Sequence, residues 1–219
     1  RFSSAHSIED SVRLSENLGT QYDIISIEEP FSAFETSLNK LFEGREPDIT
    51  EENIQARTRA VVLMALANKF GYILLNTSNK SEAAVGYGTL YGDMAGGLSV
   101  IGDVYKTDVY RLAGYINRNK EIIPSNIISK APSAELRPGQ LDSDSLPPYS
   151  ILDPILYKYI ELAKPEEEII NEGFDADTVK RVIRLINSNE YKRYQAPPVL
   201  RISSKAFGSG RRMPLVAKY

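Results

Sequence analysis

No cysteine occurs among the 219 residues. That removes disulfides, thiolate metal sites and a cysteine nucleophile from this stretch, and it agrees with a reducing compartment. Histidine occurs once, at His6, and with no cysteine to activate it reads as a surface or structural residue. No apolar run approaches the roughly 20 residues of a membrane span, and no signal-peptide pattern is present. A cytoplasmic location is therefore the default expectation, with no membrane partner. Charge of one sign is also lacking: 26 Lys and Arg stand against 29 Asp and Glu, a formal net of -3, which argues against nucleic acid as the main partner. A Walker loop is missing too, because Gly102-Asp-Val-Tyr-Lys106-Thr107 has no glycine before its lysine and sits on the wrong element. No internal repeat or low-complexity tract is found.

What is present is the composition of an ordinary globular protein, 42% hydrophobic and 25% charged. The length suits one domain, 1–219. Its first residues carry no initiator Met and lead at once into SIEDSVRLSENLG, an amphipathic pattern capped by Ser7 and stopped by Gly19. A segment cut from a longer protein is expected. Tyr22–Ile27 reads as a buried strand, and Phe31 to Gly44 as a helix. A further helix is expected from near Thr50 to Gly71, with its apolar stripe through Ile54, Val61, Leu63, Met64, Ala65 and Leu66. Tyr72–Leu75 closes a second helix-then-strand unit, and such alternation predicts an α/β domain with a parallel sheet. Helices follow over Asp103–Ile116, Ser150–Ala163, Pro165–Asn171 and Asp175–Asn187. Between them, residues 131–149 form a long loop whose stretch from Ala131 to Pro148 holds four prolines. Residues 190–219 form a basic tail. Asn76-Thr-Ser and Asn79-Lys-Ser match the glycosylation pattern but, without a secretory context, read as chance.

The most informative stretch runs from Asn76 to Thr107. Thr77 ends an apolar run, Glu82 opens a short helix, a Gly-rich loop follows, and Lys106 begins the next helix. A strand end, a helix N-terminus and a loop with one lysine beyond it are the parts of α/β nucleotide sites. From spacing alone, Thr77 and Glu82 read equally well as a strand-ending threonine and a dipole-favoured glutamate. In the functional reading Thr77 meets adenosine, Glu82 holds a Mg²⁺ that bridges phosphates, and Lys80 and Lys106 serve the phosphates. The loop from Gly86 to Gly97 has five glycines together with Tyr87, Tyr91 and Asp93. It reads either as a flexible surface turn or as a lid whose tyrosines stack on a ligand ring. Asn53 and Arg57 are four apart and share a helix face, either solvated or turned to phosphate or carboxylate groups.

The wording of three segments goes further than spacing. EENIQARTRAVVLMALANKFGYILLNTSNKSEAAVGYGTLYGDMAGGLSVIGDVYKTDVYRLA, ISKAPSAELRPGQLDSDSLPPYSILDPIL and EYKRYQAPPVLRISSKAFGSGRRMPL resemble the C-terminal half of the glutamine-dependent NAD synthetases. The resemblance covers nearly the whole chain. It implies an α/β fold of the Rossmann-like ATP pyrophosphatase type, with a parallel sheet flanked by helices and truncated at its N-terminus. It also implies adenylation of the nicotinate carboxylate of deamido-NAD by MgATP, then attack by ammonia to give NAD and AMP. Glu82 and Lys106 would be catalytic. ATP would meet Thr77, Lys106 and Ser133, and Mg²⁺ would meet Glu82 and Ser133. Deamido-NAD would contact Asn53, Arg57, Glu82, Tyr91, Asp93, Tyr191 and Lys192, the first two across a two-fold dimer interface. Leu90 stands where ammonia-only relatives tend to have lysine, which favours the glutamine-dependent branch.

Two departures accompany the resemblance. The Ser-Gly-Gly-x-Asp-Ser loop of the family is not in these residues and is expected upstream of Arg1. The glutaminase domain, with its cysteine, is expected in the same longer protein. The isolated segment is thus expected to be inactive. A sibling amidotransferase synthetase and a non-catalytic nucleotide-binding or dimerisation module remain open as alternatives.

Overall fold

Ser4, rather than the expected Ser7, caps the first helix: its hydroxyl accepts the backbone N–H of Ser7 at 3.2 Å. In chain order the elements are α1 (Ala5–Leu18), α2 (Glu28–Leu38), α3 (Ile49–Phe70), β1 (Leu75–Asn76), α4 (Lys80–Val85) and β2 (Leu98–Ser99). There follow α5 (Lys106–Ile116), α6 (Ser125–Ser129), α7 (Tyr149–Ile160), α8 (Glu166–Asn171), α9 (Ala176–Ser188) and α10 (Glu190–Tyr194). The computed structural model describes residues 2–215. It forms two units, Arg1–Val62 with Tyr110–Ser145 and Leu63–Val109 with Leu146–Tyr219.

In the first unit, α1 ends as the sequence predicts, at Gly19 with φ 63°. α2 starts before Phe31, takes Pro30 into its first turn where the missing N–H is no loss, and stops at Leu38. The expected strand Tyr22–Ile27 does not form. Tyr22, Ile24 and Ile25 are exposed, and no described strand runs beside them. A strand is stable as a pairing, and β-branched composition alone does not supply the partner. In α3 the buried positions include Gln55, Ala56, Thr58, Ala60 and Ala67, whereas Val61, Leu63 and Met64 of the expected stripe are exposed. The long loop is less irregular than its prolines suggest. Asp142–Asp144 form a 3₁₀ turn, the N–H of Asp142 bonds Pro132 O at 2.9 Å, and Lys130 joins Glu135 at 2.6 Å.

The second unit carries the sheet and the apolar core. β1 and β2 pair in parallel, Leu75 with Leu98 and Asn76 with Ser99. A parallel pair needs a crossover, and α4 with the Gly-rich loop provides it. Ser99 also bridges Val199 in parallel, so the C-terminal segment adds a third line of chain. The predicted strand Tyr72–Leu75 thus shrinks to its last residue plus Asn76. The core gathers α4, α7, α8 and α9. Val179, Val182, Ile183 and Ile186 follow the i, i+3, i+4, i+7 spacing of one helix face and meet Leu152, Ile155 and Leu156, all buried. Each such side chain contributes about 1.5–3 kcal/mol on burial. This core fixes α4, the helix that carries Glu82.

Candidate active site

α4 begins with a capping box. The Asn79 carboxamide oxygen accepts the Glu82 N–H at 3.0 Å, and Glu82 Oε2 accepts the Asn79 N–H at 3.2 Å. The sequence Asn79-Lys-Ser-Glu82 therefore codes both the helix start and the direction of the Glu82 carboxylate. Its other oxygen, Oε1, lies 3.2 Å from the Lys106 ammonium. Burial raises the Glu82 carboxyl above its ordinary value, and Lys106 together with the Asn79 N–H pulls it back. The Lys106 ammonium also lies over the Tyr149 ring, 5.5 Å from its centroid. Glu82 and Lys106, singled out separately in the sequence, are thus brought together by the fold.

Beside it opens a cavity of about 570 Å³. Glu82, Asn76, Ser78, Tyr87 and Met94 line it from the strand, helix and loop side, and Arg193, Pro198, Val199, Phe207 and Arg212 from the C-terminal side. Sequence reasoning missed most of these. Asn76, considered only as a glycosylation match, is a buried hub. Its amide donates to Asp93 O at 2.8 Å, and its oxygen accepts from the Ser78 N–H at 3.0 Å and the Ser99 hydroxyl at 3.1 Å. Asn79 is buried as well, so neither sequon presents an accessible amide. A polar residue at the end of an apolar run was the one available signal for Asn76.

The Gly-rich loop is folded and well bonded. Asp93 Oδ1 accepts the Thr89 N–H at 2.8 Å, and Lys192 donates to Gly86 O and Gly88 O, both at 2.8 Å. Burial lowers the Lys192 ammonium from its ordinary value, with Asp93 opposing. The residues around α10 act together as donors to this corner. Arg193 reaches Ala84 O at 2.6 Å, and the Asn189 amide reaches Val85 O at 3.0 Å, so the carbonyls that end α4 are satisfied. Gly86 is required here. It has φ 72°, and a Cβ would stand 2.2 Å from Asn189 Cγ. Tyr91, exposed and with φ 63°, donates its hydroxyl to Gln195, and Tyr191 is exposed on α10.

Thr77 is exposed, one residue past β1. Lys80 departs from the phosphate reading of the sequence. It is fully buried and pairs with Asp103 at 2.7 Å, with Glu161, and with the Ser203 hydroxyl at 2.9 Å. An ammonium so enclosed cannot serve a phosphate. Asn53, half-buried, and Arg57, exposed, lie on α3 in the first unit. Ser133 lies in that unit's long loop, where its hydroxyl accepts the Glu135 N–H at 3.1 Å.

The fit of a divalent cation can be judged from Glu82. Among the described residues no group of three or more His, Asp or Glu side chains gathers to hold an ion alone. A single carboxylate facing the cavity would leave most of the coordination of a Mg²⁺ to other oxygen donors.

The profile of the NAD synthase family matches residues 1–196. The chain belongs to the NAD synthase family. It is 55% identical over 220 residues to the glutamine-dependent NAD(+) synthetase of Thermotoga maritima, covering 100% of this chain and 38% of that protein. The ADP complex of the glutamine-dependent NAD+ synthetase from Acinetobacter baumannii is 43% identical, with a TM-score of 0.59 over 99% of this chain and 39% of that one. The corresponding enzyme of Cytophaga hutchinsonii is 27% identical, with a TM-score of 0.76 over 99% of this chain and 37% of that one. This NAD synthase segment thus spans about two fifths of the length of these relatives. Its fold is the α/β, parallel-sheet type of the ATP pyrophosphatases.

Proposed function

We infer that the protein to which this segment belongs makes NAD from deamido-NAD, ATP and ammonia, the ammonia being released from glutamine by a separate N-terminal domain. The observation that carries this reading is the Glu82–Lys106 pair beside the cavity, in a chain 55% identical to a glutamine-dependent NAD(+) synthetase. The chemistry has two steps. A nicotinate carboxylate oxygen attacks the α-phosphorus of ATP, and pyrophosphate leaves. The ammonia nitrogen then attacks the acyl carbon, AMP leaves, and a proton is lost from nitrogen.

Each site residue that the resemblance implies has a part in this scheme. Lys106 sets its fixed positive charge against the charge that develops on phosphate, without reorganisation at the moment of reaction. Glu82 would hold Mg²⁺, with Ser133 as a further contact, and that ion would neutralise phosphate oxygens. Thr77, at the strand end, would meet adenosine. Asn53, Arg57, Tyr91, Asp93, Tyr191 and Lys192 would contact deamido-NAD, with the Asn53 and Arg57 face shared across a homodimer. The Gly86 and Gly88 carbonyls held by Lys192 keep the loop in place. A cytoplasmic location fits these small-molecule substrates, and no described helix is long and apolar enough to cross a membrane.

The test is product analysis of the full-length protein given MgATP, deamido-NAD and ammonium. NAD and AMP in equal amounts support the reading. A folded, ATP-binding protein that makes no NAD overturns it. The 219-residue segment run alongside is expected to yield none.

A further inference from the structure

The first residues of α5 face a problem that their own sequence does not solve. The N–H groups of Lys106 and Thr107 belong to the opening turn of the helix, where no carbonyl of the same helix can receive them. The residue before them is Tyr105, whose side chain is not of the capping type, unlike Ser, Thr, Asp or Asn. Two other helices supply the acceptors. The Lys106 N–H donates to Ser81 Oγ on α4 at 2.9 Å. That hydroxyl donates in turn to Asp153 Oδ1 on α7 at 2.6 Å. The Thr107 N–H donates to Asp153 Oδ2 at 2.8 Å. Ser81 is 0% and Asp153 4% exposed, so water does not compete for these bonds.

We propose that Asp153, through Ser81, is a positioning residue for Lys106: a cap assembled from α4 and α7 that fixes the start of α5 and so holds the Lys106 ammonium against Glu82. The geometry ties the two ends of that contact together. Ser81 and Glu82 are consecutive on α4, and Ser81 receives the backbone of the very residue whose side chain Glu82 meets. The carboxylate also lies at the positive end of the α5 dipole, where negative charge is favoured. Asp153 touches neither reacting group. Burial raises its carboxyl above the ordinary range, so the cap is retained against a penalty. The inference rests on the functional reading of Lys106 given above.

The experiment is a double-mutant cycle in the full-length protein, with NAD formation followed at saturating MgATP, deamido-NAD and ammonium. Asp153→Ala is expected to lower kcat by about tenfold or more, and Asp153→Asn, which keeps an acceptor for Thr107, to recover part of that loss. Combined with Lys106→Ala, Asp153→Ala is expected to add little further loss, because both act on one charge. Faster amide exchange at Lys106 and Thr107 in folded Asp153→Ala protein would support the same cap directly. Losses that multiply in the double variant, or an unchanged kcat in Asp153→Ala, would overturn the positioning role alone. Full activity in Lys106→Ala would overturn the functional reading and this inference with it.

Discussion

Lys106 Nζ stands 3.2 Å from Oε1 of Glu82, across a sequence separation of 24 residues. The contact joins the first residue of α5 to the third residue of α4, and the capping box already fixes the direction of Glu82. Two helix starts therefore converge on one ion pair, whose Glu82 lines the cavity.

If that convergence carries catalysis, Lys106→Ala and Glu82→Gln should each lower kcat by about 10²-fold or more, the range seen when one preorganised charge or donor is removed. Steady-state NAD formation by the full-length protein measures this. A change confined to KM would assign the pair to binding and not to the chemical step.

Lys80 should govern stability. Replacing it with Met leaves Asp103 and Glu161 without their cation in a buried setting, a change expected to destabilise by about 3–5 kcal/mol. Thermal unfolding should register it. Hydrogen exchange should quicken at Ile202 and Ser203, whose N–H groups donate to Asp103 at 2.8 and 2.6 Å.

The same network sets a pH dependence. Burial pushes the Asp103 carboxyl up, but Lys80 and the N–H groups of Ser203 and Ile202 outweigh it and hold the group below the ordinary aspartate range. A depressed carboxyl contributes stability that is complete above its unfolded value and fades as pH falls through its folded one. Asp103→Asn should therefore be clearly less stable than wild type at neutral pH. The gap should close below about pH 4. Melting temperatures across that range decide it, and a gap that stays constant would refute the assignment.

Two glycines should respond in opposite senses. Gly86→Ala places a Cβ 2.2 Å from Asn189 Cγ at φ 72°, and a loss of about 1–3 kcal/mol is expected. Gly114, exposed within α5, has open space around its Cβ position, so Gly114→Ala should stabilise by about 0.4–1 kcal/mol. Thermal unfolding of the two variants compares them directly.

Lys192→Met should release the Gly-rich loop. With the bonds to Gly86 O and Gly88 O gone, hydrogen exchange over residues 86–97 should rise several-fold. Unchanged exchange would mean that the Asn76 and Asp93 bonds suffice to hold the loop.

The helices were legible wherever local signals agree. Asp175 caps α9 before a clean amphipathic stripe, and Gly19 and Gly71 end their helices in the left-handed region. Glu82 and Lys106 could be singled out, though not given a role, because a strand end, a cap and a Gly-rich loop lie within one short stretch. Strands were harder. Tyr22–Ile27 has the right residues and no described neighbour, whereas β1 forms only where Leu98 and Ser99 lie alongside. Lys80 was misread because a lysine's burial depends on Asp103, Glu161 and Ser203, which reach it from three separate parts of the chain.

By itself the sequence determined the helix ends at Gly19 and Gly71 and the start at Asp175, the α/β class, and the family to which the chain belongs. Those depend on neighbours a few residues apart, or on the wording of motifs. Only the tertiary structure decided that Asn76 is a hub, that Arg193 and Lys192 serve carbonyls around α4, and that Asp153 caps a helix other than its own. A hydrogen bond between residues 46 apart, as from Thr107 to Asp153, leaves no periodic trace in either segment. It exists because α4, α7 and α9 bury one shared core, and burial obliges every polar group brought along to find a partner.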